Sequence, residues 1–262
     1  MSMTMTLGDG WTVTRRNLFA MSRNPEVVIW STIQPIMFIV LFVYVFDSIP
    51  TPGIEYVDYV MAGIYVQTVM FNSALTGVGL ATDIQKGIID RFRSLPMARS
   101  AFLSGRSLAD VIYNAGILVV LVLSGLAVGW TVRTGIGGFV AGVALLLLFA
   151  FAMSWLGIFL GLNVPTVEVA NQVIFTVLFP ITFVSNVFVP PQTLPEWIQP
   201  FAEWNPTSTL TASLRELWGN PNPYATGSFP SENPVLVTLG WVALFLVIFG
   251  PLAVRRYRSL NR

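Results

Sequence analysis

Six stretches of this sequence stay apolar for the length a helix needs to cross a lipid bilayer. They lie at roughly 27–46, 57–80, 108–130, 136–162, 167–188 and 235–254. About twenty apolar residues span the ~30 Å hydrocarbon core as a helix. The chain is therefore predicted to be an all-α membrane protein with six transmembrane helices in a single domain covering residues 1–262. Residues 131–135, TVRTG, are short enough to make a hairpin of the third and fourth spans. Pro165 predicts a break between the fourth and fifth, although one long helix with a re-entrant piece also fits.

Composition agrees. Of the 262 residues, 54% are hydrophobic and 10% charged, against about 25% charged in soluble domains. The net charge of +1 points to no nucleic-acid partner. With no Cys and no His, disulfides, thiol nucleophiles and the usual zinc sites are excluded. The first residues, MSMTMTLGDGWTVTRRN, hold no signal-peptide core ahead of their arginines.

The few charges are sorted. Arg15, Arg16 and Arg23 precede the first span. Lys86, Arg91, Arg93, Arg99 and Arg106 lie between the second and third, and Arg255, Arg256, Arg258 and Arg262 follow the sixth. Six spans put these on one side of the membrane and leave Arg133 and Arg215 on the other. Lys and Arg accumulate on the cytoplasmic side, so both termini are expected there. The segment DGWTVTRRNLFAMSRNPE is amphipathic, with Trp11, Leu18 and Met21 able to share a face. An interfacial helix is expected, with a plain charged tail as the alternative.

Residues 82–110, TDIQKGIIDRFRSLPMARSAFLSGRSLAD, interrupt the apolar runs. Thr82 and Gln85 fit a capping box. Ile84, Ile88, Phe92 and Leu95 form one apolar stripe at helical spacing. Lys86, Asp90 and Arg93 fall largely opposite, and Pro96 ends the pattern. Buried in lipid, such charges would cost about 2.5–3.5 kcal/mol each. The segment is either a solvated loop or a docking helix for a cytoplasmic partner, its stripe entering a groove and its charges setting register.

The run GIIDRFRSLPMAR (residues 87–99), followed by GRSLAD (105–110), resembles the signature of type-2 ATP-binding-cassette exporter permeases, in the daunorubicin and drug-resistance branch. Residues 186–217, NVFVPPQTLPEWIQPFAEWNPTSTLTASLREL, match a second stretch of that family, and the likeness covers nearly the whole chain. The resemblance implies a coupling helix that meets the ATPase. Carried to this sequence, it comprises Asp83, Ile84, Gly87, Ile88, Asp90, Arg91, Phe92, Arg93, Leu95 and Pro96. It also implies two cytoplasmic ABC ATPase subunits holding ATP and Mg, a second permease subunit, identical or homologous, and a multi-pass location in a bacterial cytoplasmic membrane, among its lipids.

Residues 189–234 are apolar but rich in proline. Thr193 with Glu196 suggests a capping box, with Leu194, Ile198 and Phe201 on one face. Asn205-Pro206 restarts the chain, and Leu210, Leu214, Leu217 and Trp218 recur at helical spacing up to Gly219. Two short outer helices are expected. They are re-entrant by family resemblance, or an ordinary outer loop with interfacial tryptophans.

Within the spans the ionisable residues sit near the ends: Asp47, Asp58, Asp110 and Glu168. No midplane charge favours an ion-coupled carrier, and no G-x-x-x-x-G-K-[ST] provides a P-loop. Energy is expected from another chain. The chain itself needs no cofactor and is not an enzyme; an intramembrane enzyme would lack the chemistry. Gln172, Phe175, Phe179, Thr182 and Asn186 step along one face of the fifth span. Gln67, Phe71 and Asn72 cluster in the second, and Gln34 precedes Pro35 in the first. These residues either line a path for an amphipathic drug, lipid or glycolipid, or act as interhelical glue. The leading expectation is the permease of an ATP-driven exporter. The alternative is an ion-coupled multidrug or lipid carrier.

Overall fold

The apolar runs fold as helices, and the way they stop decides where the polar residues gather. The computed structural model describes residues 3–23, 25–45, 55–93, 99–187, 192, 194–220, 222 and 226–259. Among these the structure is helical, without strands. In chain order the helices are α1 (Met3–Ser22), α2 (Pro25–Val45), α3 (Tyr56–Ala74), α4 (Thr76–Gln85), α5 (Ile88–Arg93) and α6 (Arg99–Ala127). They continue with α7 (Gly135–Asn163), α8 (Val167–Phe183), α9 (Gln199–Trp204), α10 (Pro206–Trp218), α11 (Phe229–Glu232) and α12 (Pro234–Ser259).

Among the described residues, five helical stretches are long and apolar enough to cross a membrane: Val28–Val45, Tyr56–Gln85, Ala101–Ala127, Gly135–Asn163 and Pro234–Ser259. The apolar helix Val167–Phe183, in the fifth expected span, has 17 residues. The break at Pro165 is real, and the Thr166 hydroxyl accepts the Val169 N–H at 3.3 Å to cap α8.

α3 is the hub, buried along most of its length and packed on α2, α6, α7 and α10. Tyr65 of α3, Trp130 and Trp218 meet edge to face at 5.1–5.6 Å between centroids, the arrangement that ring quadrupoles favour. α10 starts on the Asn205 side chain, whose Oδ1 accepts the Thr207 N–H at 2.8 Å, and has Pro at its first position. Residues 207–215 of α10 are buried without exception. Inside it, Arg215 donates to the Tyr59 carbonyl at 2.9 and 3.1 Å and to the Asn186 carbonyl at 3.2 Å. Its guanidinium lies 3.8 Å from the Tyr59 ring centroid. The other basic residue of this end, Arg133, pairs with buried Asp58 at 2.5 Å.

α4 and α7 touch backbone to backbone. A methyl group added at Gly77 would collide with the Gly157 carbonyl, one at Gly157 with the Ala74 carbonyl, and one at Gly161 with the Gly77 carbonyl. Small residues at this spacing allow close helix approach in an apolar solvent.

Three local expectations are corrected. Thr82 caps nothing: its hydroxyl donates to the Val78 carbonyl at 2.9 Å, inside a helix that continues from the second span. The expected helix from Asp83 to Leu95 is two pieces, because Gly87 takes φ +66°, the left-handed region where a Cβ is disfavoured. Leu95 and Pro96 lie outside the described residues. The helix expected ahead of the first span forms as α1, with Val13, Thr14 and Asn17 buried and Trp11 58% exposed. The Thr14 hydroxyl donates to the Gly105 carbonyl at 2.9 Å, so α1 lies along α6. The helix expected from Thr193 begins only at Gln199, with Phe201 outward and Ala202 buried; Thr193 lies outside the described residues.

Candidate functional site

The basic segment folds as a turn tied to the bundle by its apolar side chains. Ile89 is buried, and Ile84 and Phe92 pack against Val13, Leu80, Phe102, Leu103 and Tyr257. The Phe92 ring lies 5.2 Å from that of Phe102, and the Arg16 guanidinium sits 4.9 Å from the Phe92 centroid. Part of the stripe expected to enter a partner's groove is thus covered by the chain's own core. Gln85, Lys86 and Arg91 are exposed, and Gly87 and Ile88 are half-buried.

Behind this turn is an ionic cluster. Asp83 of α4 accepts from Arg106 of α6 at 2.6 Å and lies 3.6 Å from Arg16 of α1. Arg106 Nε also donates to the Thr76 hydroxyl at 3.2 Å. One carboxylate therefore joins three helices. Asp110, expected near a span end, and Arg106, expected between the second and third spans, both fall within the apolar stretch Ala101–Ala127. Such charges are tolerable at membrane depth because they face the bundle interior and one another.

The cluster forms the floor of a cavity of about 730 Å³ between α1, α2, α4 and α6. Gln34 and Asn72, two of the residues singled out for a substrate path, border it, as do Arg16, Asn17, Glu26 and Asp110. The Ser31 and Tyr113 hydroxyls make a short hydrogen bond at its wall.

The fifth-span stripe divides. Gln172, Phe175 and Phe179 are exposed, Phe179 at 53%, and Phe183 continues the face with its ring 4.4 Å from Phe179. Phe71 of α3 joins them through Phe175 at 5.5 Å, beside half-buried Gln67. Thr182 and Asn186 turn inward. The Thr182 hydroxyl donates to the Leu178 carbonyl at 2.9 Å, and the Asn186 N–H donates to the Ser208 hydroxyl at 3.0 Å. Both are buried, and Asn186 lies past the end of α8 at Phe183.

The family model for the ABC-2 type transporter matches residues 9–217. The chain belongs to the ABC-2 type transporter family. The permease is 34% identical to the daunorubicin resistance ABC transporter permease protein DrrB1 of Streptomyces coeruleorubidus over 248 residues, covering 94% of this chain and 84% of that protein. It is 26% identical over 254 residues to the probable doxorubicin resistance ABC transporter permease protein DrrC of Mycobacterium tuberculosis, covering 94% and 87%. A more distant relative is the putative transport permease YvfS of Bacillus subtilis, 22% identical over 230 residues, covering 86% and 89%. Drug-resistance permeases are thus among its relatives.

Sequence reading missed the convergence of Arg16, Asn17, Asp83, Arg106 and Asp110 in the permease. Arg106 bonds to Asp83, 23 residues earlier in the chain, which no local spacing indicates. Among the described residues, no group of three or more His, Cys, Asp or Glu side chains could hold a metal ion.

Proposed function

We propose that this chain is the membrane subunit of an ATP-driven exporter that moves a hydrophobic or amphipathic compound out across a bacterial cytoplasmic membrane. In this reading the chain crosses six times, with Val167–Phe183 as the fifth span and both termini cytoplasmic. The twelve-to-two distribution of basic residues supports that orientation. The names of the relatives support a drug as cargo, with lipids and glycolipids as chemically similar candidates. A second permease subunit, identical or homologous, would cover the exposed aromatic face of α8, and Gln172, Phe175 and Phe179 would meet the cargo there with Gln67 and Phe71. At the outer end, α9 and α10 would form a re-entrant pair in the outer leaflet. An open apolar cavity of about 700 Å³, bordered by Trp197, Phe201, Trp204 and Trp241, suits lipid contact.

The observation that carries the reading is the Gly87 turn. It holds Ile84, Ile89 and Phe92 in the chain's own core and leaves Gln85, Lys86 and Arg91 outside. A partner would read this polar knob, with half-buried Ile88 beside it, while Asp83 anchors the knob from behind. Two ATPase subunits, each holding ATP and Mg, would supply the energy. Charge reversal at Lys86 and Arg91 together tests this. Co-purification of the ATPase is expected to fall at least tenfold while the permease still inserts. Undiminished association and export in that double variant would make the knob a solvated loop.

A further inference from the structure

The open groove of about 700 Å³ between the end of α8, α9 and Trp241 of α12 has walls that have spent their polar groups. Apart from Asn205, the described residues lining it are apolar or aromatic. Asn205 is already engaged: its Nδ2 donates to the Ile181 and Val184 carbonyls at 2.7 and 2.6 Å, and its Oδ1 accepts the Thr207 N–H. The Trp241 indole N–H donates to the Trp204 carbonyl at 2.9 Å. Pro180, Pro200 and Pro206 bring no backbone N–H to the walls. A water held in a cavity needs about two to four polar partners, and these walls do not supply them. The groove suits hydrocarbon, and its volume is in the range of ligand sites, about 300–1,000 Å³.

Its position says which hydrocarbon. Trp241 falls within the apolar stretch Pro234–Ser259, which puts the groove at membrane depth. From Trp241, exposed Leu244 and Ile248 follow at helical spacing, so the groove runs into the open apolar face of α12. Pro180, Ile181 and Val184 lie on a different side of α8 from Phe175 and Phe179. A second permease seated on the aromatic face therefore leaves the groove open to the bilayer. The helix α9 packs chiefly on α10 and α11 and buries Ala202, while Phe201 is 72% exposed and Trp204 51%. A guest in the groove supplies the packing that α9 lacks toward α8 and α12. We propose that the groove seats one acyl chain of a membrane phospholipid, which wedges α9 against α8 and α12. Lipid tails are as apolar as the walls, so binding comes from close contact with aromatic faces. Recognition is therefore of the chain and not of the headgroup. The proposal deepens the lipid contact assigned to this groove above and rests on that reading; the orientation of the protein decides only which leaflet supplies the lipid.

Photo-crosslinking to the purified full-length chain in phosphatidylcholine nanodiscs tests the proposal. The probe is a trace of phosphatidylcholine with a diazirine in one acyl chain, and peptide mass spectrometry locates the crosslinks. Labelling at residues 180–184, 197–206 and 241 is expected to exceed that at exposed Leu123 of α6 and Val140 of α7 about tenfold, as for one preferred seat against open surface. Ile181→Phe with Val184→Phe fills the groove and is expected to bring the two levels together. Phe201→Ala alters a largely exposed side chain, so folding is not at issue. It is expected to lower groove labelling severalfold even if the filled variant fails to fold. The same acyl chain on a phosphatidylglycerol head is expected to label the groove equally. Labelling no higher in the groove than at Leu123 and Val140 means ordinary surrounding lipid and overturns the proposal. So does labelling that follows the headgroup, or that is unchanged in the variant that folds. Displacement of the label by ethidium, an apolar cation without an acyl chain, makes the groove a cargo site and overturns the lipid assignment too. ATPase association and export are not read, so failure here leaves the exporter reading standing, and the reverse holds too.

Discussion

Arg106 of α6 and Asp83 of α4 meet at 2.6 Å, although the turn at Gly87 lies between them along the chain. The pair closes the turn at its base, and Arg16 on the other carboxylate oxygen brings the amino-terminal helix into the same knot. Tension on the turn would therefore be felt by α1, α4 and α6 together.

Removing that carboxylate should loosen all three helices. Asp83→Asn is expected to cost about 1.5–3 kcal/mol, as for hydrogen bonds to charged groups. With Arg106→Gln the losses should be less than additive, because both variants remove the same bond. Thermal unfolding of the purified chain in detergent reads this. Strict additivity would mean that the pair contributes no coupling.

Backbone contact between α7 and the α3–α4 junction makes a sharper forecast. Gly157→Ala forces a methyl against the Ala74 carbonyl, and overpacking of this kind costs about 1–3 kcal/mol. Gly116→Ala is the control, since nothing lies within 4 Å of its added methyl. It should be neutral or stabilise by up to about 1 kcal/mol. Equal melting temperatures for the two variants would contradict the close approach.

Orientation can be read chemically, since the chain has no native cysteine. Lys86→Cys and Glu232→Cys each replace an exposed side chain. In intact cells a membrane-impermeant maleimide is expected to label position 232 and spare position 86, and lysis should open the latter. The reverse pattern would invert the proposed topology.

The α8 face supplies a functional forecast. Phe175→Ala and Phe179→Ala remove exposed rings, so each should leave folding within about 0.5 kcal/mol of wild type. Each is expected to change the export profile across a panel of amphipathic compounds. A profile identical to wild type for both would reduce the face to a lipid-facing surface.

The long apolar runs were legible because burial in hydrocarbon leaves a mark in every residue; α7 and α12 depart from their expected bounds by a residue or a few. The contacts between elements were not. α1 docks on α6 through Gly10, Val13 and Thr14, a face of small and polar residues around one valine that a search for apolar periodicity passes over. The stripe through Ile84 and Phe92 was visible, but its partner was not: spacing shows that a face is apolar, not whether another chain or the same chain covers it. Asp110 and Asn72 could be seen as polar residues in or near spans, but nothing local indicated that α1 would close a cavity over them.

The solid hub has a consequence for how any traveller crosses. Val60, Met61, Tyr65 and Val69 of α3 are fully buried, and α10 lies against α3 with residues 207–215 enclosed. Among the described residues the chain thus shows a plugged centre around α3 and no bore. A passenger would have to creep along the flank, in a seam between neighbouring chains or at the lipid edge, and the protomer would work as one jaw of a vice rather than as a pipe.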